Sequence, residues 1–418
     1  MELRIEEGCW ELLAPGEPTW IGADGQRLGW AVADLLFLYE PGNSVVEAMR
    51  LPGLVDAVAP GPEHWSVATE LGVFRVDPEL ASIDSELPLV LEPGEQLWVG
   101  LDLAVQSGRR HQAWRLVDGR AWLLPTHLLD VPCLRPWSAG LGTLWSRGNT
   151  LGRGRETIGS FDGLSVGMAG PGGAWLAQTA AGLRGSCGTG EPWNFGALEL
   201  ENAVFSPDGR WAALPGALLD LRTGGRQPAP SGLPVGCVDG QWLYLLEGRL
   251  LALVPGDNLP FSRLWREEEP WTAFFRQVNL SHAGNGLTGP GGALWDLGEG
   301  KPLRTGLPPW VAWDGQRLGW MDAEQIGLLE GPRQPHGLLA GCDRLDRLAW
   351  EKEGLEGRSL DGERVLWSPE GGLRRGRAWQ RRPTPLKRDP AFPLPIAGRH
   401  QDLAWTVTGM LLRRREIG

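Results

Sequence analysis

Several short patterns in this 418-residue chain place reactive side chains at spacings that chemistry uses. Gly163-Leu-Ser165-Val-Gly167 has the spacing of a nucleophile elbow, in which a strained turn lifts a serine hydroxyl between a strand and a helix. The next residues, Met168-Ala-Gly-Pro-Gly-Gly173, make a turn and no helix, so Ser165 is expected in an ordinary strand. Gly284-Asn-Gly286-Leu-Thr-Gly289 has the spacing of a dinucleotide loop, but Pro290-Gly291-Gly292 forbids the helix whose N-terminus would hold a pyrophosphate. A hairpin loop is expected there. Gly300-Lys301-Pro302 lacks the hydroxyl residue of a phosphate loop, and neither HExxH nor an Asp-rich calcium loop occurs. His64, His111, His127, His282, His336 and His400 never fall within five residues of one another, so a metal site would have to be assembled from distant segments. Cys9, Cys133, Cys187, Cys237 and Cys342 are odd in number and far apart, and are expected as reduced, mostly buried thiols. No catalytic residue, cofactor or metal is expected.

The feature that points to a partner is electrostatic. Arg374, Arg375, Arg377, Arg381, Arg382, Lys387 and Arg388 crowd into fifteen residues, followed or interleaved by Pro383, Pro385, Pro390, Pro393 and Pro395. From Arg374 onward eleven Lys/Arg stand against Asp389, Asp402 and Glu416, a net of +8, which leaves −19 on residues 1–373 of a chain whose total is −11. Prolines favour extended, solvated chain, and like charges repel unless something neutralises them. Residues 374–398 are therefore expected as a mobile, exposed insertion that docks a protein with an acidic surface, a solvated loop without a partner being the plain alternative. The negative total argues against nucleic acid or an anionic membrane as the general partner. Glu267-Glu268-Glu269 is expected as a solvated loop.

Nothing in Met1 to Trp10 resembles a secretory signal and no run approaches 18 apolar residues, so a cytoplasmic location is expected. Asn279-Leu280-Ser281 matches the glycosylation sequon, which matters only on a secreted surface.

The elements that would carry these residues repeat. Trp20-Ile-Gly-Ala-Asp24-Gly-Gln-Arg27-Leu-Gly29-Trp30 returns as Trp310-Val-Ala-Trp-Asp314-Gly-Gln-Arg317-Leu-Gly319-Trp320, with seven consecutive identities. Weaker copies occur around Asp208-Gly209, Asp239-Gly240 and Asp361-Gly362. Asp-Gly between apolar runs predicts a β-hairpin, because a type I′ turn needs positive φ at both central residues. Strand ends at Tyr39 and Asp77, and again at Asp220, Val254, Asp296 and Leu329, follow one another at 33 to 42 residues. The 61 Gly and 34 Pro are nearly twice the usual combined share of roughly 12% and interrupt almost every helical window, so helix content should be close to nil.

A period near 40 with many short strands predicts an all-β fold, a β-propeller of four-stranded blades. Met1–Leu13 and Met410–Ile417 both read as strands, and pairing them would close the ring. Seven to ten blades, or two smaller rings, fit residues 1–418, with an irregular stretch at 134–160 that lacks a clear strand triplet and reads as a degenerate blade or a long loop. Twenty-three Trp beside nine Phe and two Tyr suit the wide gaps between splayed blades.

Phe205-Ser-Pro-Asp-Gly-Arg-Trp211-Ala-Ala-Leu214 resembles the strand and turn that open a blade in the WD-repeat and TolB-like propeller superfamily, and Leu218-Leu-Asp-Leu-Arg-Thr-Gly224 resembles its closing strand. That resemblance implies the fold and leaves activity open. No catalytic constellation survives and such a fold offers broad, rigid, loop-bearing faces, so a non-enzymatic bacterial interaction scaffold is expected; the resemblance implies as its companions an ATPase of MoxR type and a von Willebrand-type protein, which often stand beside bacterial propellers of this appearance. The rival is a propeller hydrolase or lyase with its site in the channel mouth. Asp, His and Arg converging in a funnel would favour the enzyme, and a channel plugged by Trp and Leu the scaffold.

Overall fold

The computed structural model describes residues 2–5, 8–61, 63–92, 95–100, 103–107, 112–117, 120–123, 134–135, 144–153, 156–188, 190–200, 202–256, 263–265, 275–322, 324–336, 345–359, 362–377 and 394–415. Among them there is no α-helix; short antiparallel strands dominate, with single 3-10 turns at Pro171–Gly173 and Pro290–Gly292. The chain divides into two compact units, one of Pro18–Trp265 and the other of Met1–Glu17 with Arg266–Gly418.

In the Pro18–Trp265 unit, consecutive sheets cover 20–50, 55–88, 96–123, 144–160, 166–194, 204–228 and 233–264. Most are four-stranded meanders. Within the irregular stretch 134–160, Leu144–Arg147, Thr150–Arg153 and Glu156–Ser160 form a three-stranded antiparallel sheet. Arg147 pairs with Thr150 across a turn in which Gly148 takes φ +57, so the glycines that blur the pattern are partly turn formers. Neighbouring sheets pack face to face. Ala31, Leu36 and Leu38 meet Val58, Trp65 and Val67, and Leu176 and Leu183 meet Ala212 and Leu219. The last sheet also returns to the first, through a parallel bridge between Gly25 and Val238 and the edge-to-face rings of Tyr39 and Trp265, 6.2 Å apart.

In the other unit, sheets cover 281–304, 311–335 and 345–377, and a further sheet joins both chain ends. There Gly8–Pro15 lies antiparallel to Met410–Arg414, with Trp10 opposite Arg414 and Pro15 opposite Met410. The Arg413 guanidinium, 3.3 Å from the Glu11 carboxylate, ties the two strands laterally. Leu12, Leu411 and Leu412 of these strands are buried. N- and C-terminal strands thus share a sheet, as expected.

The two identical motif copies explain much of the local architecture and correct the turn type. Ala23 pairs with Leu28 and Trp313 with Leu318, so each loop has four residues, and only the glycine takes positive φ (Gly25 +105, Gly315 +102). What closes each loop is the aspartate: Asp24 Oδ1 accepts the N–H groups of Gln26 and Arg27, and Asp314 Oδ1 those of Gln316 and Arg317. A two-residue turn with both φ positive does form at Asp239-Gly240, where Val238 pairs with Gln241. Gly29 and Gly319 of the motif have a different role. A Cβ at Gly29 would collide with the ring of Trp65, and one at Gly319 with Leu355 and Trp350, indoles and side chains that arrive from the following sheet. Each glycine is the socket for its neighbour's tryptophan, which accounts for part of the indole excess.

Candidate functional site

The first strands of successive sheets lie side by side, as Ser281–Ala283, Val311–Trp313 and Leu345–Glu351 do, whereas the last strands stand at the outside. Asn279 fastens this inner line. Its Nδ2 donates to the carbonyls of Val311 and Leu348, at 3.2 and 2.6 Å, and its Oδ1 accepts the Leu348 N–H. The sequon asparagine is therefore a clamp on three sheets, its amide already engaged.

A depression of about 410 Å3 opens along these inner strands. His282, Trp313, Asp314, Arg347, Trp350 and Glu351 are among its walls, so residues from three sheets meet that no local motif connects. Their polar groups are largely committed. Burial pushes the Asp314 carboxyl up, but donation from the backbone N–H groups of Arg317 and Gln316 and from the Arg317 guanidinium outweighs it and holds the group below the usual carboxylate range. Arg347 lies 3.4 Å from Glu351, and Trp350 Nε1 donates to the Ala312 carbonyl. His282, on the strand Ser281–Ala283, also stacks obliquely on Trp405 at 5.1 Å and stands 6.3 Å from the ring of His400. Among the described residues no three His, Cys, Asp or Glu side chains are grouped to hold a metal ion.

The expected basic strip divides at residue 377. Arg374, Arg375 and Arg377 belong to the strand Gly372–Arg377, the outermost of the sheet 345–377, so this end is paired chain and the expectation of an unpaired extended insertion is corrected there. The strand keeps strict register with Glu363–Ser368, Leu366 facing Arg374, Val365 facing Arg375 and Glu363 facing Arg377. All three arginines are exposed. Arg374 lies 3.8 Å from Glu353, both side chains largely in water, while Arg375 and Arg377 make no ion pair among the described residues. Arg381, Arg382, Lys387 and Arg388 lie outside the described residues, as do Glu267-Glu268-Glu269, Cys133 and Cys342.

The enzyme-like motifs dissolve into turns. Ser165 precedes the strand Val166–Ala169, and the chain then enters the Pro171–Gly173 turn. Gly284 and Asn285 connect the hairpin strands Ser281–Ala283 and Gly286–Thr288. The two 3-10 turns are also a repeat that sequence reasoning passed over: Gly170-Pro-Gly-Gly-Ala174 and Gly289-Pro-Gly-Gly-Ala293 make the same turn before a second inner strand. Cys187 and Cys237 are free, half-buried thiols.

This succession of mostly four-stranded antiparallel meanders is a β-propeller-like fold. No protein-family model and no curated protein sequence matches the chain. Among solved structures it is similar to PorZ, an essential bacterial surface component of the type-IX secretion system of Porphyromonas gingivalis, at 12% identity and a TM-score of 0.46, over 88% of this chain and 60% of PorZ. It is also similar to the WD40 β-propeller domain of Doa1, at 10% identity and a TM-score of 0.32, over 56% of this chain and 93% of that domain. The likeness concerns fold alone. No helix among the described residues is long and apolar enough to cross a membrane.

Proposed function

We propose that this chain is a non-enzymatic interaction scaffold of a bacterial cytoplasmic system, and that it docks a protein partner with an acidic surface through Arg374, Arg375, Arg377, Arg381, Arg382, Lys387 and Arg388. The observation that carries this reading is the strand Gly372–Arg377, which stands at the outside of its sheet with three arginines in water and two of them without an acidic partner among the described residues. An unneutralised cationic edge on a chain whose residues 1–373 total −19 is a surface that an acidic protein would complete. An ATPase of MoxR type and a von Willebrand-type protein are the partner classes to test first.

The reading as a hydrolase or lyase draws on the convergence of His282, Asp314 and Arg347 at the depression. Against it, the Asp314 carboxylate already accepts two turn amides and the Arg317 guanidinium, and Arg347 faces Glu351. The test is capture of partners from the native host by the parent and by a variant with Arg374, Arg375, Arg377, Arg381, Arg382 replaced by Ser. Loss of an acidic partner, with release by salt as the Debye length shrinks from about 10 Å at 0.1 M to about 3 Å at 1 M, is the expected result. Partners unchanged by the substitutions would move the interface elsewhere.

A further inference from the structure

We infer that the strand Gly372–Arg377 receives an extended acidic segment of the partner as an added β-strand, with backbone pairing as well as charge. This deepens the docking reading above and rests on it. The sheet order ends at this strand, so alternate residues direct N–H and C=O groups outward with no strand beyond them among the described residues. Its register with Glu363–Ser368 runs through six consecutive pairs without a bulge. Sister edges of the same unit are blunted in the usual way: the outer strands Lys301–Arg304 and Arg333–Pro335 carry Pro302 and Pro335, which cannot donate to an incoming strand. Gly372–Arg377 contains no proline.

Room and rigidity both suit an added strand. A Cβ built at Gly376 meets no atom within 4 Å, so the edge is open on that face. The adjacent strand is anchored by Val365 and Trp367, both buried against Met321 and Ile326 of the neighbouring sheet. The charges then choose the occupant. Arg375 and Arg377, two residues apart, project from one face and Arg374 from the other, so a second copy of this edge is repelled and a strand bearing carboxylates is attracted. Addition of a strand to an exposed edge gives affinity through main-chain bonds and specificity through alternate side chains.

The experiment uses the full chain and, as probe, a fluorescent eight-residue peptide alternating Glu and Val, read by anisotropy. Two isomers carry N-methyl groups on its odd or its even amides, with the same charge. Strand addition predicts that one isomer binds about tenfold more weakly, because its pairing N–H groups are gone, while the other, methylated on the face turned away, binds like the parent. Hydrogen exchange should slow at alternate amides of Gly372–Arg377 when the parent peptide is present. Equal binding of both isomers would overturn strand addition and leave docking by charge intact. An Arg375→Glu, Arg377→Glu variant that binds the parent peptide as tightly as wild type would overturn the docking reading as well. Protection of the outward amides in the free protein would mean that the edge is already occupied, and would also overturn the inference.

Discussion

The two copies of Asp-Gly-Gln-Arg-Leu-Gly-Trp form an internal control for what burial does to one hydrogen-bonding device. Asp314 closes its loop through two backbone N–H groups and holds the Arg317 guanidinium at 2.9 Å, at the solvent boundary. Asp24 closes its loop the same way, but its second oxygen accepts the indole N–H of Trp65 at 2.9 Å, and Trp65 is fully buried. Replacing Asp314 with Ala frees turn amides that water can satisfy, at a cost of about 1–2 kcal/mol. Replacing Asp24 with Ala costs the same and strands a buried indole donor, which adds about 1–3 kcal/mol. Asp24→Ala is therefore expected to destabilise its unit by about 2 kcal/mol more than Asp314→Ala destabilises the other. Equilibrium urea unfolding followed by tryptophan fluorescence measures each shift. In a Trp65→Phe background the excess should vanish, giving a coupling of about 1–3 kcal/mol. Losses equal within about 0.5 kcal/mol, or an excess that survives Trp65→Phe, would refute the assignment of the difference to the indole.

Burial raises the Glu86 carboxyl pKa, with Arg75 opposing and Asp84 assisting, so Glu86 favours the native state most at low pH and loses that contribution as pH rises. Glu86→Gln should accordingly raise the melting temperature at pH 7 and give no gain near pH 4. Burial pushes the Cys237 thiol up to about 11; in the native protein at pH 8 it should react with iodoacetamide about two orders of magnitude more slowly than an ordinary cysteine, and native-rate labelling equal to the unfolded chain would contradict this. Deleting residues 1–13 removes most of the Gly8–Pro15 strand that pairs with one edge of Met410–Arg414 and should lower the melting temperature or cause aggregation; a truncated protein as soluble and stable as the parent would show that this pairing holds nothing together. Circular dichroism should give a helix fraction well under one fifth, against the roughly one third of ordinary globular proteins.

The fold was legible because it is local and repeated. Alternating apolar residues, Asp-Gly loops and a period near 40 are all consequences of one meander built many times, and a pattern copied from Trp20–Trp30 to Trp310–Trp320 survives averaging over weaker copies. Turn geometry was less legible, since Asp-Gly serves a two-residue turn at Asp239 and a four-residue loop at Asp24, and the choice is made by register with the following strand. The depression could not be read at all. His282, Asp314 and Arg347 are 32 and 33 residues apart and become neighbours only because the same position of three sheets recurs in space. For the basic run, composition identified the charge but not its setting, because Pro383 to Pro395 dominated a stretch whose first residues pair with Glu363–Ser368.

That setting changes what the arginines can do. On a free loop, seven cations would attract any acidic surface and specify little, since each exposed pair is worth about 0 to 1 kcal/mol and is screened by salt. On a registered strand, Arg374, Arg375 and Arg377 have fixed spacing and fixed faces, so a partner must match geometry as well as sign. The inner line of the unit maintains that fixity from the opposite side of the sheet. Asn279 binds the carbonyls of Val311 and Leu348, and the Leu348 strand begins the same sheet whose last strand carries the arginines. A change at Asn279 would leave every charge in place and loosen only the frame. Weaker partner capture by Asn279→Ala, with the peptide's salt dependence unaltered, would then separate the contribution of a rigid edge from that of charge.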